Sequence, residues 1–363
     1  MHRRLIYSFY NLSLTKICPY LQDNFTDRFR LSFLFTMVLL VSCRQNINQD
    51  KNISTFKIEV TDFRGKKIQF AKQPERIVCL IESALSGFYM LNAESRIVGV
   101  PSSVYNESTA AQYAILDERI KNKTLIAPGN WDFVSIESVV ALQPDLVIIW
   151  ASQKESIESL EEKGIPVYAV FLANIKDVEK EIKDLGALTG TAPRADSLIQ
   201  YTKNEISKIS AITKDIKDKK KIYFMWSQGP LETSGKESTV NELIELAGAL
   251  NACPDKEEHL IVNTEKVLEW NPDLIVMWCN TALNPDNICT MQEWSNCSAI
   301  KKKQVYELPS VFFCDLWTLK YQYAVQILAT WCYPERFMTG DIIEVKKKML
   351  QTLYGEKGLK LNE

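Results

Sequence analysis

Only two histidines occur in the chain, His2 and His259, and His259 alone lies beyond the N-terminal region as a candidate base or metal ligand. A serine–histidine–acid triad would have to form around that single ring, and no G-x-S-x-G elbow is present. Nine cysteines include no C-x-x-C pair, so a zinc cluster finds no matching spacing. What remains are flat rings and small polar groups at the ends of apolar runs. Tyr105 follows V-G-V-P-S-S-V, Trp226 follows K-I-Y-F-M, and Trp317 follows the apolar run Val311–Cys314, read here as a strand. Glu82 and Ser83 close the run R-I-V-C-L-I and offer hydrogen bonds at its end. Rings of this kind serve core packing, and they also cover the face of a bulky guest with much apolar area at little entropic cost. T-S-G-K-E-S (Thr233–Ser238) lacks the upstream glycine of a phosphate loop. It reads as a turn opening a helix over Thr239–Ala247, with Ser238 as its N-cap. This is the chemistry of capture.

A duplication positions these groups. Ser135–Trp150 reads SIESVVALQPDLVIIW and Asn263–Trp278 reads NTEKVLEWNPDLIVMW. Without gaps, Glu137 meets Glu265, Val139 meets Val267, Pro144-Asp145-Leu146 meets Pro272-Asp273-Leu274, and Trp150 meets Trp278. Each copy predicts a short helix stopped before proline and then a buried strand. Two copies imply two similar lobes. Trp131 stands six residues before Glu137 and His259 six before Glu265, so each lobe delivers one ring to a corresponding loop. A glutamate in the first helical turn also suits the helix dipole without any partner.

Elsewhere strands alternate with helices, which predicts parallel sheets with helices packed on them. A hairpin is expected over Phe56–Phe70, turning at Arg64-Gly65. An amphipathic helix is expected over Asp177–Leu188, ending near Gly190, and a longer one from Pro193 to about Asp215. The chain has 363 residues, 46% hydrophobic and 24% charged, enough for two domains of ordinary size. Its net charge of −2 leaves no global field to recruit nucleic acid. Leu31–Ser42 is almost continuously apolar, preceded by Arg28 and Arg30, and has the length of a signal-peptide core. It ends Leu40-Val41-Ser42-Cys43, which looks like a bacterial lipobox with Cys43 as the lipidated residue. The polar run R-Q-N-I-N-Q-D-K-N after it suits a tether. The expected division is residues 1–43 leader and lipobox, 44–55 tether, 56–175 N-terminal lobe, 176–218 linking helices and 219–363 C-terminal lobe. With Cys18 and Cys43 set aside, seven cysteines remain: Cys79, Cys253, Cys279, Cys289, Cys297, Cys314 and Cys332. An odd number leaves at least one unpaired, and the group from Cys279 to Cys332 could hold disulfides in an oxidising compartment.

In order and spacing, P-E-R-I-V-C-L (Pro74–Leu80), I-E-S-V-V-A-L-Q-P-D-L-V-I, L-G-A-L-T-G (Leu185–Gly190), T-S-G-K-E-S and V-L-E-W-N-P-D-L-I-V-M resemble one family. It is that of the periplasmic binding proteins of iron-siderophore, haem and cobalamin ABC importers, and the resemblance covers roughly residues 56 to 335. It implies an α/β fold of two Rossmann-like lobes with mainly parallel sheets, joined by one long helix, with a ligand cleft between the lobes. It further implies that Glu137 and Glu265 dock on arginines of an ABC permease dimer, and that Trp131 and His259 occupy the two ring positions at the ligand. Cobalamin binders carry tryptophan at both, so His259 shifts the expectation toward an iron-siderophore or haem, which histidine could ligate. Cobalamin and a molybdate-type oxyanion stay as alternatives, and a chelatase-like enzyme is the catalytic alternative. The implied protein is a monomer in the cell envelope, anchored through lipid on Cys43. It is not an enzyme and has no cofactor or metal site of its own, no nucleic-acid partner, and a metal chelate as cargo.

Overall fold

The computed structural model describes residues 57–361 apart from 107 and 338. The leader, Cys43 and the tether lie outside the described residues. The first lobe opens on the expected hairpin: β1 (Ile58–Thr61) and β2 (Lys67–Phe70) pair antiparallel, with Ile58 opposite Phe70. Its turn is fixed by Asp62, whose Oδ1 accepts from the backbone N–H groups of Arg64 and Lys66, both at 2.9 Å. Gly65 takes φ +82° there, a left-handed conformation that glycine adopts without steric cost.

Five parallel strands follow: β3 (Ile77–Cys79), β4 (Ile97–Pro101), β5 (Ile126–Gly129), β6 (Leu146–Trp150) and β7 (Val167–Val170), in the order β5-β4-β3-β6-β7. I-V-C in β3 and V-Y-A-V in β7 are buried throughout, as strands covered on both faces require. Helix α1 (Glu82–Met90) follows β3, while α2 (Ile136–Ala141) and α3 (Lys154–Glu162) flank β6. Two helices follow. In α4 (Ile175–Thr189) Asn174 caps the start, its side chain accepting from Asp177 N, and Gly190 ends it at φ +74°. In α5 (Ala192–Thr213) proline occupies the first turn, and its 22 residues span roughly 33 Å. The two helices pack closely at Gly186, where a Cβ would lie 2.7 Å from Ala195 Cβ.

The second lobe contains β8 (Lys221–Met225), β9 (Glu232–Thr233), α6 (Thr239–Leu246), β10 (Leu250–Asn251), β11 (Leu260–Ile261), α7 (Thr264–Trp270), β12 (Leu274–Met277) and β13 (Val305–Glu307). Its main sheet has the order β10-β8-β12-β13 and is parallel throughout; β11 and β9 form a separate antiparallel pair. Ser238 caps α6 as expected, accepting from Asn241 N at 3.0 Å. The core here centres on Trp294, fully buried edge-on to Tyr223 at 5.7 Å.

The duplicated segments occupy equivalent places in two different sheets. Ser135 and Asn263 cap α2 and α7. Gln143 and Asn271, at matching positions, both turn left-handed with φ of 47° and 45° before Pro-Asp. Asp145 then accepts from the backbone N–H of Glu75 and Arg76, and Asp273 from that of Lys221, locking β6 to β3 and β12 to β8.

Two expectations change. Val311–Cys314 is a run of turns rather than a strand, with Cys314 N bonded to Ser310 O; Phe312 and Cys314 turn into the core, which accounts for the apolar run. The end of the chain does not stay with the second lobe. After α8 (Tyr321–Cys332), helices α9 (Thr339–Tyr354) and α10 (Glu356–Lys360) return to the first. Tyr354 Oη lies 2.6 Å from Ser86 Oγ, Lys357 Nζ donates to Glu94, and Arg194 from α5 donates to Leu353 O. All seven cysteines of the described residues are free thiols.

Glu181 on α4 is only 1% exposed, and its Oε1 has no hydrogen-bond partner among the described residues. Burial pushes its carboxyl up to about 8 from an ordinary 4.5. Between those values the folded chain keeps a proton that the unfolded chain releases. Stability therefore falls as pH rises through that window, on the order of 1 kcal/mol per pH unit. Glu181→Gln is expected to remove this slope. Urea denaturation at about pH 5 and about pH 7.5 should show the wild type losing on the order of 2–3 kcal/mol more than the variant. Parallel losses in both proteins would show that Glu181 does not titrate in this range.

Candidate functional site

In each parallel sheet the chain reverses its direction of travel between two strands, β3 and β6 in the first, β8 and β12 in the second. Open α/β sheets place ligands outside the carboxyl ends of the strands at such points. A cavity of about 390 Å³ lies there. From the first lobe it is lined by Leu80, Glu82 and Ser83 beyond β3, Pro101 and Ser103 at the end of β4, Asn130 and Trp131 after β5, and Trp150 ending β6. The second lobe contributes Trp278 just after β12, together with Val311, Asp315 and Trp317.

Four of the eight tryptophans thus face one space. Their polar companions are two carboxylates and small hydrogen-bonding groups, with no cationic side chain among the lining residues. Burial raises the Glu82 carboxyl above the usual range and does the same to Asp315, against the opposing pull of Lys320. Lys320 stands behind the wall, 1% exposed, with Nζ 3.7 Å from Asp315 Oδ2 and 3.7 Å from the centre of the Phe312 ring. Ser83 Oγ is buried and lacks a partner among the described residues. An anionic guest would meet two carboxylates and no cation at contact. A neutral or cationic guest with broad apolar faces suits both the rings and the charge.

Of the ring and polar positions expected at a ligand, Trp131, Trp317, Glu82 and Ser83 line this cavity. Trp226, Tyr105 and His259 do not. Trp226 is 7% exposed and stands behind the wall, stacked on Trp317 at 6.3 Å, with Nε1 donating to Ser234 Oγ. His259 stacks on the other side of Trp226 at 5.8 Å, and its Nε2 lies 2.5 Å from Glu232 Oε2. That ring is engaged within its own lobe. Tyr105 donates its hydroxyl to Leu125 O and packs against the core. Trp150, Trp278, Asn130 and Asp315 line the cavity without having been singled out in the sequence. For the first two the signal was present, since the duplication aligns them. Glu137 and Glu265 are exposed in the first turns of α2 and α7 and form no hydrogen bond or ion pair among the described residues.

Two α/β lobes linked by a long helix, with a ring-lined cavity between them, define a ligand-capturing receptor. The chain belongs to the periplasmic binding protein family, whose sequence profile matches residues 77–312. It is 26% identical over 290 residues to an uncharacterised ABC transporter substrate-binding lipoprotein of Bacillus subtilis, covering 76% of this chain and 88% of that one. It is 24% identical over 302 residues to the iron(3+)-hydroxamate-binding protein of the same organism, covering 77% and 89%. A molybdate-bound crystal structure of the Haemophilus influenzae molybdate-binding protein superposes with a TM-score of 0.71. That match is 24% identical and covers 82% of this chain and 97% of the other, a likeness of fold. Family membership makes this chain a substrate-binding protein that works outside the cytoplasm.

Proposed function

We propose that this chain is the substrate-binding subunit of an ABC importer and that its cargo is a compact metal chelate of neutral or positive charge, foremost a neutral ferric siderophore of the hydroxamate kind. The observation that carries this reading is the cavity itself: four indoles around two carboxylates, with the Lys320 ammonium behind the wall. The 24% identity to an iron(3+)-hydroxamate-binding protein supports it. Haem, with two propionates, and molybdate, a dianion, match the lining less well. Cobalamin is the second reading, because its corrin face suits stacked indoles and it carries no net negative charge at the ring. Binding without chemical turnover sets the proposal apart from a chelatase, whose test is metal insertion into a tetrapyrrole by the purified protein.

Absorbance spectra of the protein after exposure to a ferric hydroxamate, a ferric catecholate, haem and cobalamin, with calorimetric titration for the colourless molybdate, would test the charge argument. Retention of the hydroxamate or cobalamin and not of the anions is expected. Preferential capture of an anion would overturn it. Trp131, Trp150, Trp278 and Trp317 form the ligand walls, with Glu82, Ser83 and Asp315 as polar contacts. Trp131→Ala is expected to weaken binding by about 1–3 kcal/mol, measured by fluorescence quenching. Tyr105→Phe should leave the dissociation constant unchanged, because its hydroxyl is spent on Leu125.

Glu137 and Glu265 serve as paired docking carboxylates for the permease dimer, which charge complementarity steers and orients. The chain is held at the membrane through lipid on Cys43. The lipobox spacing supports this, as does the description of the Bacillus subtilis relative as a lipoprotein. Replacement of Cys43 by serine should release the protein from the membrane fraction, and continued sedimentation with membranes would remove the assignment.

A further inference from the structure

Phe133 and Ile261 are among the most exposed large apolar side chains described, at 66% and 73%. They occupy the same place in the duplication, four residues before Glu137 and Glu265 respectively. The local backbone is held in both copies. Asn130 N bonds to Phe133 O at 2.8 Å, and Gly129 approaches so closely that a Cβ would fall 2.1 Å from Phe133 O. Ile261 pairs with Glu232 across the β9–β11 ladder, and Val262 N bonds to Leu231 O. The next residue points inward in each lobe: Val134 is 9% exposed and Val262 7%. Alternation then forces Phe133 and Ile261 outward. An outward position on a soluble protein favours a polar side chain, yet both copies carry an apolar one. Other strongly exposed apolar residues, Ile126, Phe171 and Ile343, have no such counterpart.

We propose that Phe133 and Ile261 are paired apolar anchors, each four residues before a docking carboxylate, and that together they fit a permease of two like subunits. Each subunit would offer a cationic side chain next to an apolar notch. This rests on the docking role given to Glu137 and Glu265 and adds a second component to it. Carboxylates act at long range and set the rate and orientation of encounter. Apolar side chains act only at contact and set how long the complex lasts. A two-fold symmetric partner needs the same set of contacts at two separated places, and the duplication supplies it, one carboxylate and one apolar side chain per lobe.

The test uses the importer's permease dimer in lipid nanodiscs and the full chain, with association followed at several salt concentrations. Phe133→Ser and Ile261→Ser are each expected to weaken association about tenfold and the pair about a hundredfold. The loss should lie in dissociation, with the salt dependence kept and ligand affinity unchanged. Glu137→Lys with Glu265→Lys should instead slow association and flatten its salt dependence. The conservative pair Phe133→Leu with Ile261→Val should bind as the native chain does, which separates contact from folding. If the serine pair associates within twofold of native while the lysine pair fails, the anchors are wrong and the carboxylate docking stands. If neither pair alters association, the docking face and the anchors fall together.

Discussion

A chain carrying both Glu137→Lys and Glu265→Lys is expected to bind its ligand with native affinity and to deliver none of it. Both carboxylates are exposed, neither lines the cavity, and neither is paired with a cation among the described residues. Reversal leaves the ligand walls untouched. Each lysine now opposes the dipole of a short helix at its first turn, a cost of about 0.3–1 kcal/mol that a folded domain tolerates. Two reversed charges facing the cations proposed on the permease would turn attraction into repulsion at both ends of the docking face, which is why the double variant should abolish transport while each single one should retain part of it. Uptake of the radiolabelled ferric chelate into proteoliposomes, alongside calorimetric titration of the ligand, measures both quantities. Normal uptake by the double variant would remove the docking assignment.

The second large effect falls on stability. Lys320→Met is expected to cost about 3–5 kcal/mol, the loss typical of a buried charge deprived of its partner. Lys320 is almost wholly enclosed and pairs with Asp315, which shares the cavity wall with Glu82. Burial already disfavours charge on both acids, so removal of the ammonium drives Asp315 further toward its protonated form. The sign follows from linkage. A carboxyl raised in the folded state weakens the fold above its unfolded pKa, so the deficit should be full near neutrality and shrink as pH falls toward about 4. Urea denaturation of wild type and variant at both pH values gives the comparison. A deficit below about 1 kcal/mol, or one independent of pH, would show that the ammonium does not hold this site together.

Much of the architecture was readable because local signals and tertiary structure agree. Pro-Asp at the end of each duplicated helix reads as a stop, and in the fold Asp145 and Asp273 tie the next strand to its neighbour. Ser238 looked like a cap and is one. The apolar run Val311–Cys314 misled because periodicity records burial rather than backbone shape, and a buried turn carries the same residues as a buried strand. The site was legible in part for a different reason. A strand end tells which residues reach the cleft edge, and it picked out Glu82, Ser83 and Trp317 although the strand assumed before Trp317 is absent. It does not tell whether a ring faces the opening or the layer behind it. Trp226 and Trp278 both follow strands in the second sheet, one standing behind the wall and one in it. Asp315 was invisible because its place depends on convergence between lobes, and His259 reads as a ligand position only because Glu232 lies 27 residues away in sequence.

The return of α9 and α10 to the first lobe means that the backbone passes between the halves twice, once along α5 and once after α8. Two covalent straps at separate places resist the wide swing that a single flexible connection would permit, and they leave mainly small twisting adjustments. A cavity held this way is largely shaped before its guest arrives, so little disorder is lost on capture. Unloading then has to come from outside: a transporter docked as proposed on both lobes would have to supply the strain that parts the indole walls, since the receptor keeps only small twists of its own with which to open.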